Sequence, residues 1–131
     1  MNPGKYDCIF VPVYVRPQSM VEEQACFGVV AHCPEAGFFA CRLARDDEAV
    51  IDRIVRFFPK YGRANLEQAM TWAAQDVEYT IRAERERGDK GAFANLIRPR
   101  ENVVRYGPTQ VVMTNDPAAE LEKLYHRAVG I

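Results

Sequence analysis

Residues 25–43, ACFGVVAHCPEAGFFACRL, set the kind of sheet this chain can make. Two apolar runs, Ala25–His32 and Phe38–Leu43, flank Cys33-Pro34-Glu35-Ala36-Gly37. Proline presets φ for a turn, and glycine can take the positive φ that closes one. The flanks are short, aromatic and β-branched at intervals, which specifies a β-hairpin. The expectation is a small antiparallel sheet with this hairpin at its centre.

Alternation puts Phe27, Val29 and Ala31 on one face with Phe39, Cys41 and Leu43. Cys26, Gly28, Val30 and His32 then face the other way with Phe38, Ala40 and Arg42. Both faces are apolar, more so than in a sheet with one wet side. Either helices cover one face and the chain's own tail segments the other, or part of the second face binds a partner. That part would centre on Phe10, Tyr14, Val30 and Phe38.

Upstream, Tyr6–Arg16 (YDCIFVPVYVR) alternates as a strand, with Ile9, Val11, Val13 and Val15 on one side. Cys8, Phe10, Pro12 and Tyr14 form the other. Pro12 has no N–H to give a ladder, which places this strand at an edge or at a bulge. Downstream, Asp46-Asp47-Glu48 opens a helix whose unpaired amides favour acidic groups. Its apolar set is Val50, Ile51, Ile54, Val55, Phe57 and Phe58, and Pro59 stops it. Asn65, with Gln68 three residues on, caps a longer second helix. Leu66, Met70, Ala73, Val77 and Ile81 form its buried stripe, with Trp72 and Tyr79 on a flanking face. Phe93–Ile97 makes a single helical turn, Val103–Tyr106 a short edge strand and Gln110–Thr114 (QVVMT) a further strand. Asp116-Pro117 starts the last helix, cap followed by proline.

This order specifies an α+β fold: a mostly antiparallel sheet of four to five strands with three helices packed mainly on one face. The 131 residues suffice for a single domain, 1–131, that buries a core without metal or disulfide staples. Net charge is −1 and no apolar run approaches a membrane span, so no global field or anchor draws the chain to nucleic acid or lipid. The start, Met1–Asp7, lacks the basic-then-apolar profile of a secretory leader, so the chain is expected in the cytoplasm. Cys8, Cys26, Cys33 and Cys41 are then reduced and packed. Their spacing lacks the close pairs of a zinc site, so no metal and no cofactor is expected. The sequence leaves open whether Cys26, Cys33, Cys41 and His32 cluster.

The pattern resembles the bacterial family called domain of unknown function 3037. The likeness lies in Tyr6-Asp7, in Gly28-Val29-Val30 running into Cys33-Pro34-Glu35, in Phe39 and in Arg42-Leu43. It continues through Leu96, Pro99-Arg100, Asp116-Pro117, Glu120-Leu121 and Leu124-Tyr125. Where family members often carry an asparagine before Val-Gly-Val, this chain has Cys26-Phe27. The resemblance implies a cytosolic bacterial or phage protein encoded near a kinase-like partner, and it brings no catalytic residue.

No catalytic motif is present, and the sequence alone pairs neither His32 nor His126 with a nucleophile. The expected function is therefore a non-catalytic interaction and regulatory module. It would bind a protein partner (a kinase, or a host defence complex in a phage setting) or a second copy of itself. Phe10, Tyr14, Val30, Phe38, Arg98, Arg100 and Arg105 are the candidate contacts. An alternative is nucleic-acid or nucleotide binding through the arginine-rich segment 82–105, by Arg82, Arg85, Arg87, Lys90, Arg98 and Arg100. With Arg105 these make seven cations against four acids, Glu84, Glu86, Asp89 and Glu101. A second alternative is a small enzyme with a His-centred site, which requires His32 or His126 in a cleft beside a carboxylate or thiol.

Overall fold

β1 (Tyr6–Val15) is the strand on which the sheet is laid in the computed structural model, which describes residues 5–17, 23–98 and 103–130. On one side β1 pairs antiparallel with β2 (Ala25–Cys33), and β2 pairs with β3 (Phe38–Leu43). On the other side it pairs with β4 (Val104–Tyr106) and β5 (Gln110–Thr114). α1 (Glu48–Phe57), α2 (Arg63–Arg87) and α3 (Ala92–Leu96) separate β3 from β4, and α4 (Pro117–Val129) closes the chain. The fold is α+β with a five-stranded antiparallel sheet.

The hairpin forms as the sequence specifies, with a 3-10 turn at Pro34–Ala36 and Gly37 at φ 64°. It lies at one margin of the sheet, however, with β3 at an edge, and the centre belongs to β1. Pro12 reconciles its missing donor with a central position. Its carbonyl accepts from Gly107 N–H at 2.8 Å, so its polar edge faces the break between β4 and β5, where no ladder amide is needed. β4 and β5 are two halves of one outer strand: Tyr106 pairs with Val13 and Gln110 with Phe10, one residue more on the outer side than on β1. The bulge admitted for Pro12 also occurs on the β2 side, where the register shifts between Val13 and Tyr14.

The pairing His32↔Phe39, Val30↔Cys41 and Gly28↔Leu43 overturns the expected grouping of hairpin faces. Phe39, Cys41 and Leu43 lie with Gly28, Val30 and His32. Phe38, Ala40 and Arg42 lie with Val29, Ala31 and Cys33. The turn sets which residues oppose, and a one-residue change exchanges every side chain between faces.

Helices lie on both faces. α2 and α3 cover the His32 face, where Glu84 and Phe93 meet His32. α4 covers the Arg42 face, where Glu122 accepts from Arg42 Nε at 2.8 Å and the Arg42 guanidinium sits 4.3 Å over the Tyr125 ring. The chain's own tail thus seals most of the second face, and Phe10 is 2 % exposed. α1 buries Val50, Ile51 and Ile54, while Phe57, expected in its stripe, is exposed. α2 starts at Arg63 with Gly62 before it. Asn65, expected as the cap, instead donates to the Tyr61 carbonyl at 2.6 Å. Gly88 and Gly130, both left-handed, end α2 and α4. Asp116 caps α4 as expected, its Oδ1 accepting from Ala119 N–H at 3.1 Å.

Candidate functional site

The four apolar residues expected to form one partner face do not share one. Phe10 and Tyr14 lie on the α4 side, while Val30, fully buried, pairs with Val11 and Cys41 on the α2 side. Phe38 is half-buried at the hairpin turn, across from Cys33. Tyr14 and Phe10 border a groove of about 310 Å³ between β1 and α4, with Leu124 and Arg127 opposite. Arg105 pairs across from Tyr14 on this side. Burial raises the Tyr14 phenol above its usual range.

The arginine-rich segment is dispersed. Arg82 pairs with Glu78 one turn back at 2.9 Å. Arg87 lies 5.6 Å over the Tyr79 ring, in a cavity that also holds Asp76 and Asp89. Arg85 and Lys90 border a different cavity, that of His32. Arg98 is exposed after α3, and Arg100 lies outside the described residues.

The His32 cavity is the most chemically featured concavity on the α2 side. It measures about 530 Å³ and is bordered by Pro34, Phe38, Phe39, Glu84, Arg85 and Lys90. His32 Nε2 donates to Glu84 Oε1 at 2.7 Å, since an ionised carboxylate can only accept. The imidazole stacks on Phe93 at 4.3 Å and meets Phe39 edge-on at 4.8 Å. Three elements, α2, α3 and β3, therefore fix the ring on β2. Nothing in the sequence joins His32 to a partner 52 residues away.

The cysteines do not gather around His32. Cys8 and Cys33 form a disulfide, which corrects the expectation of four reduced thiols. The register explains it: one step beyond Ile9↔His32 sets Cys8 opposite Cys33, with Cα atoms 4.4 Å apart. Cys26 Sγ donates to the Gly28 carbonyl, and burial pushes both the Cys26 and Cys41 thiols up. Among the described residues no group of three His, Cys, Asp or Glu side chains could hold a metal ion, and no helix is long and apolar enough to cross a membrane.

The strand at Gln110–Thr114 forms as expected, but its exposed edge was not among the candidate surfaces. Val111 and Met113 on β5 are 68 % and 61 % exposed and point to the same face, beside half-buried Ile9. β5 pairs only with β1 among the described residues, which leaves its outer backbone edge open. The signal was available: residues 106–115, YGPTQVVMTN, carry no charge, whereas exposed edge strands are ordinarily guarded by charged side chains.

Fold and surface together define a small α+β sheet protein with an unguarded edge at β5 and a histidine–carboxylate cavity at His32. The chain belongs to the family described as protein of unknown function (DUF3037), whose profile matches residues 10–129. Neither the curated proteins nor the solved structures gave a match.

Proposed function

We propose that this chain is a small non-catalytic protein-interaction module of a bacterial or phage cytoplasm, and that it docks through β5. The observation that carries this reading is the pair Val111 and Met113, exposed side by side on an edge strand with no charge between Tyr106 and Asn115. Such an edge offers unpaired N–H and C=O groups to an added strand, and the two side chains supply apolar contact. The α4 groove at Phe10 and Tyr14 is a lesser surface because the helix occupies most of that face. The test is affinity capture from the native host with the wild-type chain and with Met113→Lys. Proteins retained by the first and lost by the second support the reading, and identical captures refute it.

A second reading, a small enzyme with a His-centred site, is supported by the 2.7 Å His32–Glu84 hydrogen bond at a cavity with Arg85 and Lys90 on its rim. Its test is a screen of hydrolase and transferase substrates with wild type and Glu84→Gln. A turnover lost in the variant would favour it. Nucleic-acid binding along 82–105 draws less support, since Arg82, Arg85 and Arg87 engage different neighbours and do not converge on one groove.

A further inference from the structure

We infer that β5 pairs antiparallel with β5 of a second copy of this chain, in a register centred on Val112. The inference rests on the docking reading above and names its occupant.

The backbone parity of β1 decides which β5 groups face outward. The Cα atoms of Cys8 and Cys33 are 4.4 Å apart, the separation of a non-hydrogen-bonded antiparallel pair. The N–H and C=O of Cys8 therefore turn away from β2 and toward β5. Pro12, four residues on and of the same parity, accepts from Gly107 on that side, in agreement. Cys8 opposes Val112, so Val112 bonds inward to β1, as do Gln110 and Thr114. Val111 and Met113 are left with their N–H and C=O on the outer edge.

Those two residues dictate the register. A two-fold axis through Val112 sets Val111 opposite Met113 of the second copy, and Met113 opposite Val111. Both pairs then exchange two backbone hydrogen bonds, and every outward polar group of β5 is satisfied. An axis through Val111 or Met113 leaves the other outward residue facing a position beyond the strand. The side chains agree with the backbone, because Val111 and Met113 share a face and the same axis brings each against the other's counterpart, beside Ile9. Such pairs stabilise a ladder. Gln110 meets Thr114, and no like charges are opposed, because residues 106–115 have none. This is an isologous contact: one patch, complementary to itself, that closes as a dimer. The opposite edge differs, since β3 carries Arg42 and runs between contacts from α2 and α4.

Five-residue edges bury less than the roughly 1,200 Å² of a standard interface, so the dimer is expected to be concentration-dependent, with a dissociation constant on the order of micromolar or weaker. Sedimentation across a concentration series, with amide exchange followed in the same samples, tests it. Met113→Pro removes an outward N–H while leaving the inward bonds of Val112 intact, and Met113→Lys adds a charge to the same edge. The expected result is a reversible dimer, with Val111 and Met113 amides protected only when it forms and Val112 protected throughout. Both variants should weaken it at least about tenfold. A monomer at every concentration overturns the inference, as does a dimer unchanged in both variants. If the wild type is monomeric while Met113→Lys still loses a captured protein, a foreign strand occupies β5: the second copy is refuted and the docking reading stands.

Discussion

The Tyr125 hydroxyl donates a hydrogen bond to Asp47 Oδ2, tying the last helix to the residue that opens the first. Asp47 belongs to the acidic run Asp46-Asp47-Glu48 expected to open α1, yet its carboxylate makes no capping bond there. It serves Tyr125 and, at 3.4 Å, Arg42, whose Nε reaches Glu122 on α4. This knot holds α4 on the sheet face that would otherwise be open.

Tyr125→Phe should therefore cost about 2 kcal/mol, as hydrogen bonds to charged groups do, measured by urea denaturation near neutral pH. Burial first, and the Asp47 hydrogen bond second, hold the Tyr125 proton well above the usual phenol range. An unfolded tyrosine ionises near pH 10. Above about that pH the unfolded chain has released a proton that the native state keeps, so stability falls as pH rises. Below it the contribution is fully present. Tyr14 and Tyr61 are also raised, by burial, so the expected signature is the difference between two curves: the wild type loses more stability in alkali than Tyr125→Phe. Parallel curves would contradict it.

Gly28 is where β2 and β3 come closest to a side chain that is absent. A methyl there would lie 2.7 Å from the Arg42 carbonyl oxygen and against Leu43 Cδ2. Leu43 can shift, but the carbonyl belongs to the ladder and cannot. Gly28→Ala should destabilise by about 1–3 kcal/mol, the range for overfilling a packed site, and chemical denaturation checks it.

Local chemistry made much of this fold legible. Pro34 with Gly37, Asp116-Pro117 and the charge-poor run at Gln110–Thr114 each announced their element because the determinants lie within a few residues. What was lost is relational. The hairpin register depends on how a 3-10 turn seats Phe38 and Phe39, and composition does not contain that offset. β1 became central because the Pro12 nitrogen faces a break in the outer strand, which only the fold creates. The His32–Glu84 and Cys8–Cys33 pairs join residues from separate elements, so neither leaves a spacing to read. The open β5 edge was available as an absence of charge.

The His32–Glu84 bond fastens the end of α2 to β2, and its worth can be measured directly. Glu84→Ala should cost about 1 kcal/mol, the net value of a partly exposed hydrogen bond. His32→Ala should cost more, about 2–4 kcal/mol, because it also removes the ring held between Phe39 and Phe93 and leaves a cavity. Equal losses in urea denaturation would mean the ring contacts contribute nothing beyond the hydrogen bond.

Cys8 and Cys33 are both fully buried, and their bridge closes a sequence separation of 25 residues. Restricting the unfolded chain over that span is worth about 3 kcal/mol in the loop-entropy account, so Cys8→Ala with Cys33→Ala should lower stability by about that amount. Thiol exchange needs a thiolate to reach a sulfur, and neither sulfur is accessible in the native state. The bridge can thus coexist with the reducing cytoplasm proposed for this chain once it has formed. Unfolded without reductant, the protein should react with thiol reagents at Cys26 and Cys41 alone. Reduction before the assay should add the other two of its four cysteines. Dithiothreitol should open the bridge only at denaturant concentrations where the fold itself opens. Rapid reduction of the native protein would show instead that β1 and β2 separate locally at their Cys8 end.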